Sequence, residues 1–266
     1  MSRATTIWNA AAFAVMGATA GCASQPDTSQ IAFEETDGLL PASDEERAIA
    51  DRSDPLTRAS FWAEEHAKAP TDVETTVRYA NALRAINSHE RAAEVVTQTI
   101  ALHPRNADLA MILGRSYLSL DNIGSAIRAF EQAVVTAPNE AAPYAGLGLA
   151  LDRSGQHEAA QRVYREALAR DPDRVSTLSN YGLSLALSGD LSAAESALRE
   201  AAEHPDADVK VRQNLALVLG LQGRFDEMRA LSERDAPADL VERNMAALRA
   251  MLGPVRRYDL LDDDQG

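Results

Sequence analysis

Cysteine is almost absent from this sequence. The 266 residues hold one, Cys22, so no disulfide can form within the chain and the fold must be held by packing. Long basic runs are missing too. With 40 Asp and Glu against 26 Lys and Arg, the formal charge is −14, and no cluster of Lys or Arg could track a phosphate backbone, so nucleic acid is not an expected partner. No apolar stretch reaches the roughly 20 residues that a membrane-crossing helix needs. Signatures of chemistry are lacking as well. His66, His89, His103, His157 and His204 are scattered, with no i, i+4 pair around a Glu to hold zinc. Gly146 and Gly148 begin a G-x-G, but Leu151 stands where the third glycine belongs and no strand pattern precedes it. There is no G-x-S-x-G and no isolated carboxylate pair. The expectation is a non-enzyme with no cofactor, no metal and no small-molecule substrate. What is present is 45% apolar residues, enough for a packed core.

The single cysteine has a context. Arg3 is a short positive region, and Ile7 to Ala20 is mostly apolar, interrupted by Asn9 and ending in small residues, which is the form of a secretory signal. Ala20, Gly21 and Cys22 resemble a bacterial lipobox, with Thr19 where that motif usually has Leu. The resemblance implies a signal peptide over 1–21, lipidation of Cys22, and a firm acyl anchor. Ala23 follows in place of the Asp that retains many such proteins at the inner membrane, so the resemblance implies the periplasmic face of the outer membrane. Ordinary secretion after cleavage nearby is the alternative. Residues 22–42 mix Ser, Gln, Asp and Pro without periodicity and read as a flexible tether.

From Ser43 onward the chain repeats itself every 34 residues. Prolines fall at 70, 104, 138 and 172, with an early one at 205. Small residues recur at Ala80, Gly114, Gly148, Gly182 and Ala216, and again at Ala92, Ala126, Ala160 and Ala194 before failing at Met228. Between these two series lie Asn87, Asp121, Gly155, Gly189 and Gly223, the residue types that best tolerate the positive φ of a tight turn between antiparallel helices. Gly148 and Ala160 fall where two such helices would meet, and the prolines stop each second helix. Tyr79, Leu113, Leu147, Tyr181 and Leu215, with Phe130 and Tyr164, would fill the space between units. Each unit is a helical hairpin that cannot bury its apolar face alone, so stacking supplies the core.

Leu113, Gly114, Tyr117, Ala126, Phe130, Ala133 and Pro138 match the pattern of the tetratricopeptide repeat almost in full. The resemblance implies an all-α solenoid of helical hairpins: capping helices over 43–72, five repeats over 73–242 starting at Val73, Ala107, Ala141, Val175 and Val209, and an acidic tail over 254–266. A C-terminal capping helix is expected over 237–253, with Val241, Met245, Leu248 and Leu252 on one face. The same resemblance implies a protein ligand in the groove of the first helices. Of the family's carboxylate-clamp positions, occupied here by Ala145, Leu149, Asn180, Lys210 and Asn214, only Asn180 and Lys210 agree. The groove instead offers Ala145, Leu149, Leu183, Ala186, Leu187, Leu217 and Leu221, a stripe suited to an amphipathic helix. That helix is either foreign or the chain's own, residues 237–252.

Lipobox, polar leash and repeat stack together resemble the TadD-type repeat lipoproteins of tight-adherence (Flp, type IVb) pilus assembly, as do residues 211–227 and 244–252 taken by themselves. The resemblance implies a periplasmic scaffold that helps assemble or position the pilus secretin. Two other readings stay open: a different outer-membrane scaffold, in β-barrel insertion or wall synthesis, and a free secreted chaperone or enzyme accessory.

Overall fold

The computed structural model describes residues 40–253. Cys22, the leader, nearly all of the tether and the acidic tail lie outside them. The described residues form thirteen helices and no strand. The first two are α1 (Asp44–Arg52) and α2 (Pro55–Lys68). Five hairpins follow: α3 (Val73–Ala85) with α4 (His89–Ile100), α5 (Ala107–Ser119) with α6 (Ile123–Thr136), α7 (Ala141–Arg153) with α8 (His157–Leu168), α9 (Val175–Leu187) with α10 (Leu191–Glu203), and α11 (Val209–Leu221) with the short α12 (Phe225–Ser232). The last helix is α13 (Ala238–Leu252).

Local chemistry sets these boundaries. The residue after each first helix that reverses the chain has positive φ: +59° at Asn87, +55° at Asp121, +78° at Gly155, +91° at Gly189 and +79° at Gly223. Only Gly, Asn and Asp adopt this conformation at little cost. First helices are also capped where the sequence allows it. Asp72, Asn106 and Asp208, 34 or more residues apart, accept hydrogen bonds from the third amide of α3, α5 and α11. Glu140 and Arg174 hold the same position before α7 and α9 and make no such bond.

Each first helix packs on its own partner, on the second helix of the preceding hairpin and on the neighbouring first helices, whereas the backbones of second helices stay apart, although Arg199 of α10 reaches to 3.5 Å from Glu227 of α12. The first helices therefore form one continuous layer. α2 takes the place of a second helix ahead of α3, and α13 that of a sixth first helix, packing on α11 and α12 alone. Its Val241, Met245 and Leu248 are buried, but Leu252 is 45% exposed. Sequence periodicity puts Leu252 on the buried face; burial there stops at Leu248, one turn before the helix does.

A single register position carries much of the core. Trp62, Val96, Phe130, Tyr164 and Leu198, each 34 residues from the next, are at most 1% exposed. Glycines make room for three of them. A Cβ on Gly148 would lie 2.6 Å from the Tyr164 ring, and one on Gly182 would lie 2.6 Å from Leu198 Cγ. Phe130 is held on both sides: a Cβ on Gly114 would be 2.6 Å from its ring and one on Gly146, in the next hairpin, 2.5 Å. So the atoms that require Gly148 to be small are those of Tyr164, where the sequence points to Ala160. The G-x-G of residues 146–148 is likewise explained by two rings, one against each glycine.

At the N-terminal end, Glu65 is 2% exposed, yet it is well partnered. Lys68 Nζ lies 2.7 Å from its carboxylate, the Ala42 amide donates to it at 2.9 Å, and Arg47 is 3.5 Å away. Burial pushes its pKa up, but the Lys68 hydrogen bond, the Ala42 amide and the two cations outweigh that and hold it below the ordinary carboxylate range. The sign follows from linkage: a depressed folded pKa contributes stability that is present above the unfolded value and lost as pH falls through the folded one. Thermal melts between about pH 6 and about pH 3 should show the midpoint falling below the ordinary value of 4.5, and Glu65→Gln should flatten that slope. An identical slope in the variant would show that Glu65 is not among the linked groups.

Candidate functional site

The groove residues singled out in the sequence all lie on the first helices of hairpins three to five, but the structure divides them. Leu149 on α7 and Asn180, Leu183 and Leu187 on α9 line one cleft of about 210 Å³, together with Asp152, Arg153 and Tyr164. Asn180 also borders a second cleft, with Lys210, Asp206, Asp208 and Asn214, where Asn214 Nδ2 donates to Ser179 Oγ at 3.0 Å. Leu217 lines a third, larger one of about 450 Å³, whose other wall is Leu240, Asn244, Ala247 and Met251 of α13. Ala186 and Leu221 are half-buried against the C-terminal core. Ala145 is half-buried and borders none of these clefts.

The first cleft has apolar walls that water reaches. Leu149 is 37% exposed and Leu187 64%. Since α13 touches only α11 and α12, the chain's own last helix does not cover it. The floor is polar, a feature that sequence periodicity does not reveal. Ser184 Oγ donates to Asp152 Oδ1 at 2.7 Å, and His157 Nδ1 lies 3.0 Å from the same oxygen. Gln161 Nε2 donates to the Ser184 carbonyl at 3.1 Å and to Ser188 Oγ at 2.8 Å, tying α8 to the end of α9. The Tyr164 hydroxyl is buried and makes no well-aligned hydrogen bond. Burial first, then the Asp152 charge and a poorly aligned contact with it, push its ionisation far up. The signal that could have found this floor is departure from the repeat. Asp152 stands where Arg84, Leu118, Ala186 and Gly220 stand in other hairpins, whereas Ser184 shares its position with Ser116 and gives no such signal.

Ser, His and Asp together invite comparison with a hydrolytic triad, but the connectivity differs. Ser184 is fully buried and donates to Asp152 rather than to the imidazole, so the serine–histidine hydrogen bond of such a triad is not made. Among the described residues no group of three His, Cys, Asp or Glu side chains could hold a metal ion, and no helix is long and apolar enough to cross a membrane.

Residues 78–144 and 146–208 match the family model described as tetratricopeptide repeat. These residues are tetratricopeptide repeats, stacked as an all-α solenoid. Solved structures agree on the fold. A thermophilic tetratricopeptide-repeat protein of Thermus thermophilus is 23% identical, covering 66% of this chain and 97% of its own, with a TM-score of 0.56. MamA from Desulfovibrio magneticus RS-1, as the fragment from residue 41 to its end, is 20% identical over 70% of this chain and 99% of its own, TM-score 0.54. YrrB, described as having an unusual peptide-binding site, is 18% identical over 71% of this chain and 99% of its own, TM-score 0.55. In sequence, the general transcriptional corepressor trfA of Dictyostelium discoideum is 27% identical over 94 residues, which are 35% of this chain and 7% of that protein. Tetratricopeptide-repeat solenoids generally act as scaffolds for protein–protein interaction, through the extended concave surface that stacking creates.

Proposed function

We propose that the protein is a non-enzymatic scaffold that binds a protein partner on the layer of first helices, anchored through a lipid on Cys22 to the periplasmic face of the outer membrane, where it serves Flp pilus assembly and secretin positioning. The observation that carries the binding reading is the open cleft of Leu149, Asn180, Leu183 and Leu187, left uncovered by α13. The peptide-binding site named for YrrB, a protein of similar fold, supports it. The lipobox-like Ala20, Gly21 and Cys22 support the anchor, and the likeness of residues 211–227 and 244–252 to TadD-type lipoproteins supports the pilus role.

Two experiments test the parts separately. Leu183→Glu with Leu187→Glu places charge on the cleft wall, which a docked apolar face would have to desolvate at a cost of several kcal/mol. Pilus display should be lost in a strain carrying only this variant, while the purified protein melts within a few degrees of wild type. Normal melting with normal pili would refute the cleft reading. Cys22→Ser should leave a folded protein in the soluble periplasmic fraction. If that variant, with its signal removed, still sediments with outer membranes after a salt wash, the lipid anchor is wrong.

A further inference from the structure

We propose that the cleft between α7 and α9 receives a lysine or arginine side chain from the partner, with the partner's flanking apolar residues resting on Leu149, Leu183 and Leu187. The inference rests on the reading of this face as a protein-binding surface and adds the chemistry it selects. The groups at the floor are acceptors in want of donors. The hydrogen bonds that Ser184 and His157 make to the Asp152 carboxylate both fall on Oδ1. The Tyr164 oxygen is buried without a well-aligned partner. Asn180, half-buried at the cleft edge, makes no side-chain hydrogen bond, so its amide oxygen is free to accept. A cation that enters with several N–H groups can donate to the carboxylate and to the amide oxygen at once, whereas an anion would face the Asp152 carboxylate.

Among the residues lining the cleft, Arg153 is the one cation, and it is turned toward the preceding hairpin, 3.9 Å from Asp121 Oδ1. It therefore does not neutralise Asp152, whose contacts are to Ser184, His157 and Tyr164. The wider charge favours the same ligand, since a chain of net charge −14 attracts basic partners at long range. The apolar walls accommodate the methylene stem, as such side chains bury their stems and leave the head to polar groups.

The test is a selection of random dodecamer peptides displayed on phage, with the full-length protein as bait. Enriched peptides should carry Lys or Arg flanked by Leu, Ile or Phe. A synthetic representative should lose about tenfold or more in affinity to Asp152→Asn, which keeps an acceptor for Ser184, and several-fold to Asn180→Ala, which breaks no existing bond. Its binding should also weaken as salt rises. Enriched peptides without a basic residue, or ones indifferent to both substitutions while still blocked by Leu183→Glu with Leu187→Glu, would overturn the cation pocket and leave the cleft as a docking site. No enrichment, or binding indifferent to the leucine variant too, would overturn the docking reading itself.

Discussion

Phe130→Ala is expected to lower unfolding free energy by about 3–5 kcal/mol, the range for emptying a large aromatic from a tight core. The ring is 1% exposed and lies against two glycines that belong to different hairpins, Gly114 and Gly146. Neither glycine has a side chain with which to fill the void, and neither helix can close on it without parting from its other neighbours. Because stability in a repeat stack is roughly a sum of units and their interfaces, the loss falls on the join between hairpins two and three. Differential scanning calorimetry should show a lower midpoint and a broader, less cooperative transition. A Tm within a degree of wild type would mean that the ring is not a support of that join.

Gly148→Leu attacks the next hairpin by the opposite route. The added Cβ alone would sit 2.6–2.9 Å from three atoms of the Tyr164 ring, itself fully buried, so ring or backbone must shift. Overpacking of this kind costs about 1–3 kcal/mol. Leu187→Ala, at a position 64% exposed, should stay within about 0.5 kcal/mol and serves as the control in the same thermal series. Equal midpoints for the two variants would remove the close approach of α7 and α8 as a source of stability.

The architecture is readable because a solenoid writes its geometry as a period. Turn residues, helix-stopping prolines and small residues at helix contacts each recur every 34 positions for a separate physical reason, and their agreement leaves one arrangement of hairpins. The same logic hides the cleft. Reasoning from repeat position treats Leu183 and Leu217 as equivalent, yet Leu217 borders α13 and Leu183 does not, since only the last hairpin has that neighbour. The polar floor depends on Asp152 and Ser184, 32 residues apart and not at one register position, so periodicity brings no attention to them. Leu252 is misplaced for a related reason: helical spacing says which face a residue lies on and nothing of how far the opposing surface extends.

A stack of like hairpins has an awkward property at its ends. The surface by which one unit accepts the next is left bare after the last, and a second molecule offering its first unit could continue the row into a filament without limit. Here α13 lies over the end of the row, with Leu248 and Met228 closed over Gly220. Asp239 and Arg243 of α13 are exposed and paired with each other, while Glu242 and Arg249 reach back to Arg229 and Phe225 of α12. The row of described hairpins thereby closes at α13, and the chain itself takes the place where a further unit would sit.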